Sequence, residues 1–325
     1  MIERAKSFVP AADEVWRLQH GNDTDCEFFQ RATGGGKVGD QRSHQGIWIM
    51  TPSGSLLASI NSINADRVLR TLDEGLAAWR VVAQDGDVEA SSCERPGHRW
   101  EYLYPEGGLV LERIARDLDP ASPLGVRRPS WNRDYVWFTA EEVRAFMPRD
   151  PEPGDRWDLP EAASRLARFH LVDNVRGQTL PYAGPEILSA ELWLEVRARR
   201  GSEVEVELFG STAAAAEGPW LLGDNLWKPT RELARGIETE LLGEATFDLA
   251  TGGFTRFELV GLGRRWGRSE FNGRWREVGA KPIGFHFTLA RPDARVAPTF
   301  IALYGAQWVT LPDSPELSPP RSAAR

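Results

Sequence analysis

Apolar positions follow two periods along this chain, and each predicts a different kind of element. Residues 45–59 read as two β-runs joined by Pro52-Ser53-Gly54, where proline presets φ and glycine accepts positive φ. Asn64 is placed to cap the helix that follows, and Val68, Leu69, Leu72, Leu76 and Trp79 then share one face at helical spacing. From Ala190 the period becomes two. Leu192, Leu194 and Val196 line one face, Gly201-Ser202 turns the chain, and Val204, Val206 and Leu208 line a face on the return. The alternation recurs over residues 237–242, 245–247, 254–260 and 283–289, with turn chemistry in residues 249–253. About six antiparallel strands follow from this pattern, forming a sandwich, a strongly curved half-barrel or a closed barrel.

Between these regions the signals are mixed. Residues 100–104 and 109–116 alternate around Pro105-Glu106-Gly107-Gly108 and predict a further hairpin. Thr139 with Glu142 forms a capping box ahead of Val143, Phe146 and Met147. Asp158 followed by Pro160 starts a second helix running toward His170. The proline-rich stretch 148–158 connects the two. Residues 83–92 are polar, acidic and aperiodic, as expected of a linker. The predicted organisation is a small domain over residues 1–82, a linker over 83–97, an antiparallel β-rich domain with two helices over 98–311, and a frayed proline-rich tail over 312–325, giving an α+β chain.

The order strand, turn, strand, helix, with the wording Thr51-Pro-Ser-Gly-Ser-Leu-Leu-Ala-Ser59, resembles the C-terminal ββα half of the thioredoxin-like fold. Upstream, residues 11–19 read as a helix, and Cys26 within Asp23-Thr24-Asp25-Cys26-Glu27 opens another helical turn, where that family carries its reactive cysteine. The resemblance spans about the first quarter of the chain. Cys-x-x-Cys is missing, and Gln45 stands where the family has its cis-proline, so what the resemblance implies is a scaffold without dithiol activity and with at most one working thiol. It is similar to bacterial thioredoxin-family proteins that carry a β-rich extension. Residues 244–260 resemble strand-turn-strand segments of bacterial curved-sheet proteins that hold apolar ligands or lipids.

A net charge of −8 argues against a protein that tracks nucleic-acid phosphates. With only Cys26 and Cys93, a disulfide-dense secreted scaffold is excluded. No apolar run after a basic segment occurs in residues 1–10, and no stretch is long and apolar enough to span a membrane. A cytoplasmic location is the expectation, or an extracytoplasmic one if a leader has been removed. The thirteen tryptophans are scattered rather than periodic, which makes most of them core or rim residues.

Candidate chemistry is sparse. Cys26 at a helix start gains amide donors and a positive dipole end, which favour thiolate, but Asp23, Asp25 and Glu27 surround it with negative field, which favours a structural thiol. Cys26 with His20 and His44, and Cys93 with His98, have no compact metal-ligand spacing, and no metal or cofactor is expected. His170 and Asp173 are spaced to act as base and orienting carboxylate, or as a helix-end dipole pair. Gly34-Gly-Gly-Lys37 lacks the phosphate-loop ending and reads as a plain loop. Arg264, Arg265, Trp266, Arg268, Arg274 and Trp275 place guanidiniums among aromatics, able to grip an anion or a planar ligand, or simply to solvate a long hairpin loop. Two functions follow: a non-catalytic protein that binds an apolar or aromatic ligand or another protein through its β domain, and a single-cysteine thiol-redox protein using Cys26.

Overall fold

The computed structural model describes residues 2–13, 15–34, 45–84, 100–118, 131–219, 232–269 and 272–304, and the chain divides into two units, Met1–His98 and Arg99–Arg325. The first two residues of the predicted linker, Ala83 and Gln84, are helical instead, and the rest of it and the tail lie outside the described residues, as do His44, Cys93, His98 and Lys37.

The first unit contains helices α1 (Ile2–Ala5), α2 (Val15–His20) and α3 (Thr24–Ala32), the antiparallel pair β1 (Ile47–Met50) and β2 (Leu56–Ile60), and the long helix α4 (Ala65–Gln84). α2 begins later than the apolar pattern predicts, and residues 11–13 are exposed and outside any helix. The Asp23 carboxylate caps α3 by accepting from the amides of Asp25 and Cys26, both at 3.0 Å. Asn64 caps α4 through the Arg67 amide at 3.0 Å. Val68 and Leu72 of α4 bury against Ile49 of β1. Gly75 lets the helix approach, since a Cβ there would stand 2.7 Å from the Ile49 side chain.

The second unit is built on one antiparallel sheet. Its strands are β3 (Leu109–Asp117), β4 (Trp131–Phe138), β5 (Arg156–Asp158), β6 (Ile187–Arg200), β7 (Glu203–Pro219), β8 (Glu232–Asp248), β9 (Gly253–Gly267) and β10 (Lys281–Leu289). The order across the sheet is β4-β3-β10-β9-β8-β7-β6-β5. Two helices, α5 (Ala140–Ala145) and α6 (Pro160–Arg165), join it, and α6 runs on into a π-helical turn, Leu166–His170, in which the Leu171 amide reaches the Leu166 carbonyl at 2.7 Å.

Four further local predictions change. Residues 100–103 form a 3₁₀ turn rather than a strand, because both hydrogen-bonding sides of β3 are taken by β4 and β10. Asp158 does not cap α6. It pairs with Trp193 as part of β5, and Leu159, whose amide bonds the Leu192 carbonyl at 2.8 Å, takes the cap position without a side-chain bond. Residues 264–266 extend β9 instead of forming a loop, and residues 237–247 belong to one continuous strand. The Thr139–Glu142 capping box forms in both directions, at 3.1 and 2.7 Å.

The sheet is strongly curled. Leu109 and Leu111 of β3 line the same apolar cavity as Leu192 and Leu194 of β6, although β3 and β6 are five strands apart and would stand roughly 24 Å from each other in a flat sheet. Phe146, Ala162 and Leu166 from the helical segment complete the lining. At about 20 Å³ this cavity has room for little more than one water-sized body, so the helices themselves fill the hollow of the curled sheet there. Glycines mark the bends. A Cβ on Gly210 would lie 2.1 Å from the Glu191 carbonyl, and one on Gly243 would lie 2.3 Å from the Glu258 carbonyl, so the clash is with a neighbouring strand's backbone. Gly243→Ala is therefore expected to lower stability by about 1–3 kcal/mol in urea unfolding, whereas alanine at Gly253, where nothing crowds the position, should stay within about 0.5 kcal/mol.

Candidate functional site

Chemically capable side chains gather at two buried places in the second unit and along one outward face of its sheet. The first internal group centres on His170, the last residue of the π turn. It has no exposed surface, and its Nε2 meets the Tyr304 hydroxyl while its Nδ1 faces Asp134 Oδ2 at 3.7 Å. That gap is too long for a hydrogen bond, so Asp134 acts on the ring through its charge. Burial holds His170 below its ordinary value despite the carboxylate, which keeps it neutral at pH 7, with Nδ1–H toward Asp134 and Nε2 accepting from Tyr304. Burial pushes the Tyr304 phenol well up, leaving it a fixed donor. The same burial would raise Asp134, but His170, Arg113 and the Thr299 amide outweigh it and hold the acid low.

These groups fasten chain to chain. Asp134 Oδ1 accepts from the Thr299 amide at 2.9 Å and hydroxyl at 3.1 Å, which holds residues 299–304 beside the edge strand β4. Arg113 donates to the His170 carbonyl at 2.8 Å and, through both terminal nitrogens, to Asn174 Oδ1 at 3.0 Å, pinning the turn after the helix. Burial pulls Arg113 down to about 10, still far enough above neutrality for it to stay charged. Arg165 bonds the Trp137 carbonyl at 2.9 Å and pairs with Glu142. An unprotected edge is thereby closed by side chains and by the chain's own later segment.

The second internal group is ionic. Arg274, with no exposed surface, donates to Asp173 at 2.8 and 2.7 Å and to Asp117 at 2.6 and 3.1 Å. Arg176 joins Asp117 at 2.6 Å to Glu277 at 2.7 Å. Arg265, 1% exposed, donates to Glu277 at 3.1 Å and lies 3.8 Å from Asp173. Burial would raise Asp117 and Glu277, but the hydrogen bonds and charges of Arg274 and Arg176 hold both carboxyls below their usual range. Among the described residues, three guanidiniums meet three carboxylates in this cluster.

His170 and Asp173, paired in the sequence reading, thus belong to separate groups. The arginine and tryptophan set also divides. Arg265 and Arg274 are consumed by the internal cluster, Arg264 projects outward from β9, Trp266 and Arg268 are half-buried, and Trp275 is exposed with Arg276 over its ring. They do not converge on one ligand position. Cys26 is fully buried in the first unit, beside the buried Phe29 and Ala32 of the same helix. Among the described residues there is no group of three or more histidine, cysteine or carboxylate side chains arranged to hold a metal ion, and no helix long and apolar enough to cross a membrane.

The outward face of the sheet is different in kind. Strand register places Trp193, Phe209, Leu242 and Val260 at one level on β6, β7, β8 and β9, with Leu262 two residues further along β9. Leu242 is 60% exposed and Leu262 57%. The level on one side carries Glu195, Glu207, Glu244 and Glu258, each directly opposite the next. On the other side Glu191 and Glu240 stand level with Leu262, Glu240 directly opposite it, and Glu238 lies one level further, all exposed. Single-residue reading missed this face, because its members are adjacent only once the register is known. No protein-family model, curated protein or solved structure matches the chain.

Proposed function

We propose that this is a non-catalytic binding protein that works through the outside of its β domain, with an N-terminal unit that keeps a thioredoxin-like scaffold and no dithiol chemistry. One observation carries the reading: Cys26, His170 and Arg274 are each fully buried, and the partly exposed His286 is bonded to Glu258 at 3.1 Å on an ordered aliphatic and acidic face. A catalytic group must reach substrate, and a nucleophilic cysteine must be partly exposed. Neither His170 nor Cys26 meets that condition. The apolar cavity lined by Leu109, Leu111, Leu192 and Leu194 has room for little more than one water and is not the ligand site in this reading.

Alkylation of the native protein at pH 7, resolved by peptide mass spectrometry, tests this. Cys26 should resist modification until denaturant unfolds the first unit. Rapid modification under native conditions would replace this reading with the single-cysteine redox protein.

A further inference from the structure

We infer that the outward face of β6–β9 is a docking surface for a cationic amphipathic helix of another protein, whose aliphatic stripe covers Leu242, Val260 and Leu262 and whose lysines or arginines meet the glutamates on either side. This deepens the binding role proposed above and rests on it.

Three features of the face specify that occupant. Exposed leucines scattered over a surface need no explanation, but Leu242 and Val260 are cross-strand neighbours and Leu262 continues the strip on the same strand, with Phe209 extending it onto β7. Outward positions of an antiparallel sheet ordinarily alternate to polar residues. The aliphatic strip breaks that rule in the middle of the two strands, away from any turn.

The glutamate row breaks a second rule. Glu195, Glu207, Glu244 and Glu258 are direct cross-strand partners over four successive strands, and like charges placed opposite each other destabilise a sheet. Arg197 pairs with Glu195 and Glu207, Arg256 with Glu244 and Glu258, and His286 Nε2 meets Glu258 at 3.1 Å. Counting Arg264 on the far flank and Arg156, which stacks over Trp193 and Phe209, seven carboxylates meet four guanidiniums among the described residues. The surplus is negative. It attracts a cationic partner and repels lipid and nucleic-acid phosphate.

The dimensions suit one helix. The roughly 15 Å between the axes of β6 and β9 equals about ten residues of helix, so a helix laid along the row contacts both acidic flanks and buries the strip between them. The result is an apolar centre inside a charged rim, the usual anatomy of a transient interface.

The experiment uses the full chain and a fluorescein-labelled amphipathic leucine/lysine helical peptide, followed by anisotropy at low and high salt. Its controls are a leucine/glutamate peptide of the same pattern and vesicles containing phosphatidylserine. Saturable binding of the lysine peptide, weakened by salt and at least about tenfold weaker in the double variant Leu242→Ser/Leu262→Ser, supports the proposal. Both leucines are exposed, so an unchanged melting temperature certifies that the variant folds. Five results would overturn it: no binding of the lysine peptide, equal affinity of wild type and double variant, binding of the glutamate peptide, binding of the vesicles, or a wild-type dimer that dissociates in the double variant. Equal affinity would move the contact elsewhere on the domain without touching the wider reading, which fails separately if Cys26 proves reactive.

Discussion

Replacing Arg274 by methionine is expected to lower the stability of the β domain by about 3–5 kcal/mol, read as a shift in its urea midpoint. The side chain is fully buried and donates to both Asp117 and Asp173, so its removal leaves Asp117 with Arg176 and Asp173 with Arg265 at 3.8 Å, both away from water. Glu277, 3.5 Å from the same guanidinium, loses part of its compensation as well. Lysine would keep the charge, but one ammonium does not reproduce two bidentate contacts, and Arg274→Lys should restore only part of the loss. Arg276→Met, two residues away on an exposed side chain over Trp275, should fall within about 0.5 kcal/mol. Equal effects at Arg274 and Arg276 would show that the buried cluster is not what ties the loops to the sheet.

Acid should then dismantle the domain in two stages. His170 has a folded pKa below its ordinary 6.5, so in the interval between the two values the unfolded chain binds the extra proton and stability rises with pH. Its contribution is complete above about pH 6.5 and is lost as pH falls through the folded value. Asp117 and Asp134, lowered from 3.8, and Glu277, lowered from 4.5, follow the same sign at lower pH. Their stabilisation is present above about pH 4.5 and disappears as pH falls through the folded values, where the ion pairs lose their negative partners. The melting temperature should be level above pH 7, decline gently below 6.5 and collapse below about 4. His170→Gln should erase the gentle limb and keep the steep one. A melting temperature unchanged down to pH 5 in the wild type would remove His170 from the account.

The parts of this fold that were legible in the sequence are those whose causes are local. The β1–β2 hairpin follows from its Pro-Ser-Gly turn, α4 from Asn64 and its apolar face, α5 from the Thr139–Glu142 box, and β6–β7 from alternation around Gly201. Misreadings came where a distant partner decided the outcome. Residues 100–103 had a strand's alternation but no free sheet edge to join, and Asp158 had a cap's chemistry but a backbone already paired with β6. Arg264 to Trp266 carry glycine and charge on every side, which reads as a loop, yet β8 and β10 hold them in register. The ionic cluster was invisible for the same reason. Arg274 meets Asp117 across 157 residues of chain and Asp173 across 101, distances over which spacing carries no signal. The same holds for His170, whose partners Asp134 and Tyr304 come from the edge strand and from the segment that closes it.

The position of β3 between β4 and β10 also shapes how the molecule must be made. β3 and β4 emerge from the ribosome early, but β3's other neighbour is β10, whose Phe287 pairs with Arg113 and whose Ile283 pairs with Asp117. Until that strand is synthesised, the hairpin of β3 and β4 has an open edge and an apolar face carrying Leu109, Leu111 and Val136. Pairing so remote in sequence is slow, and an uncovered edge invites the wrong partner. Yield in a heterologous host should therefore depend more on chaperone supply and growth temperature than on the equilibrium stability of the finished fold.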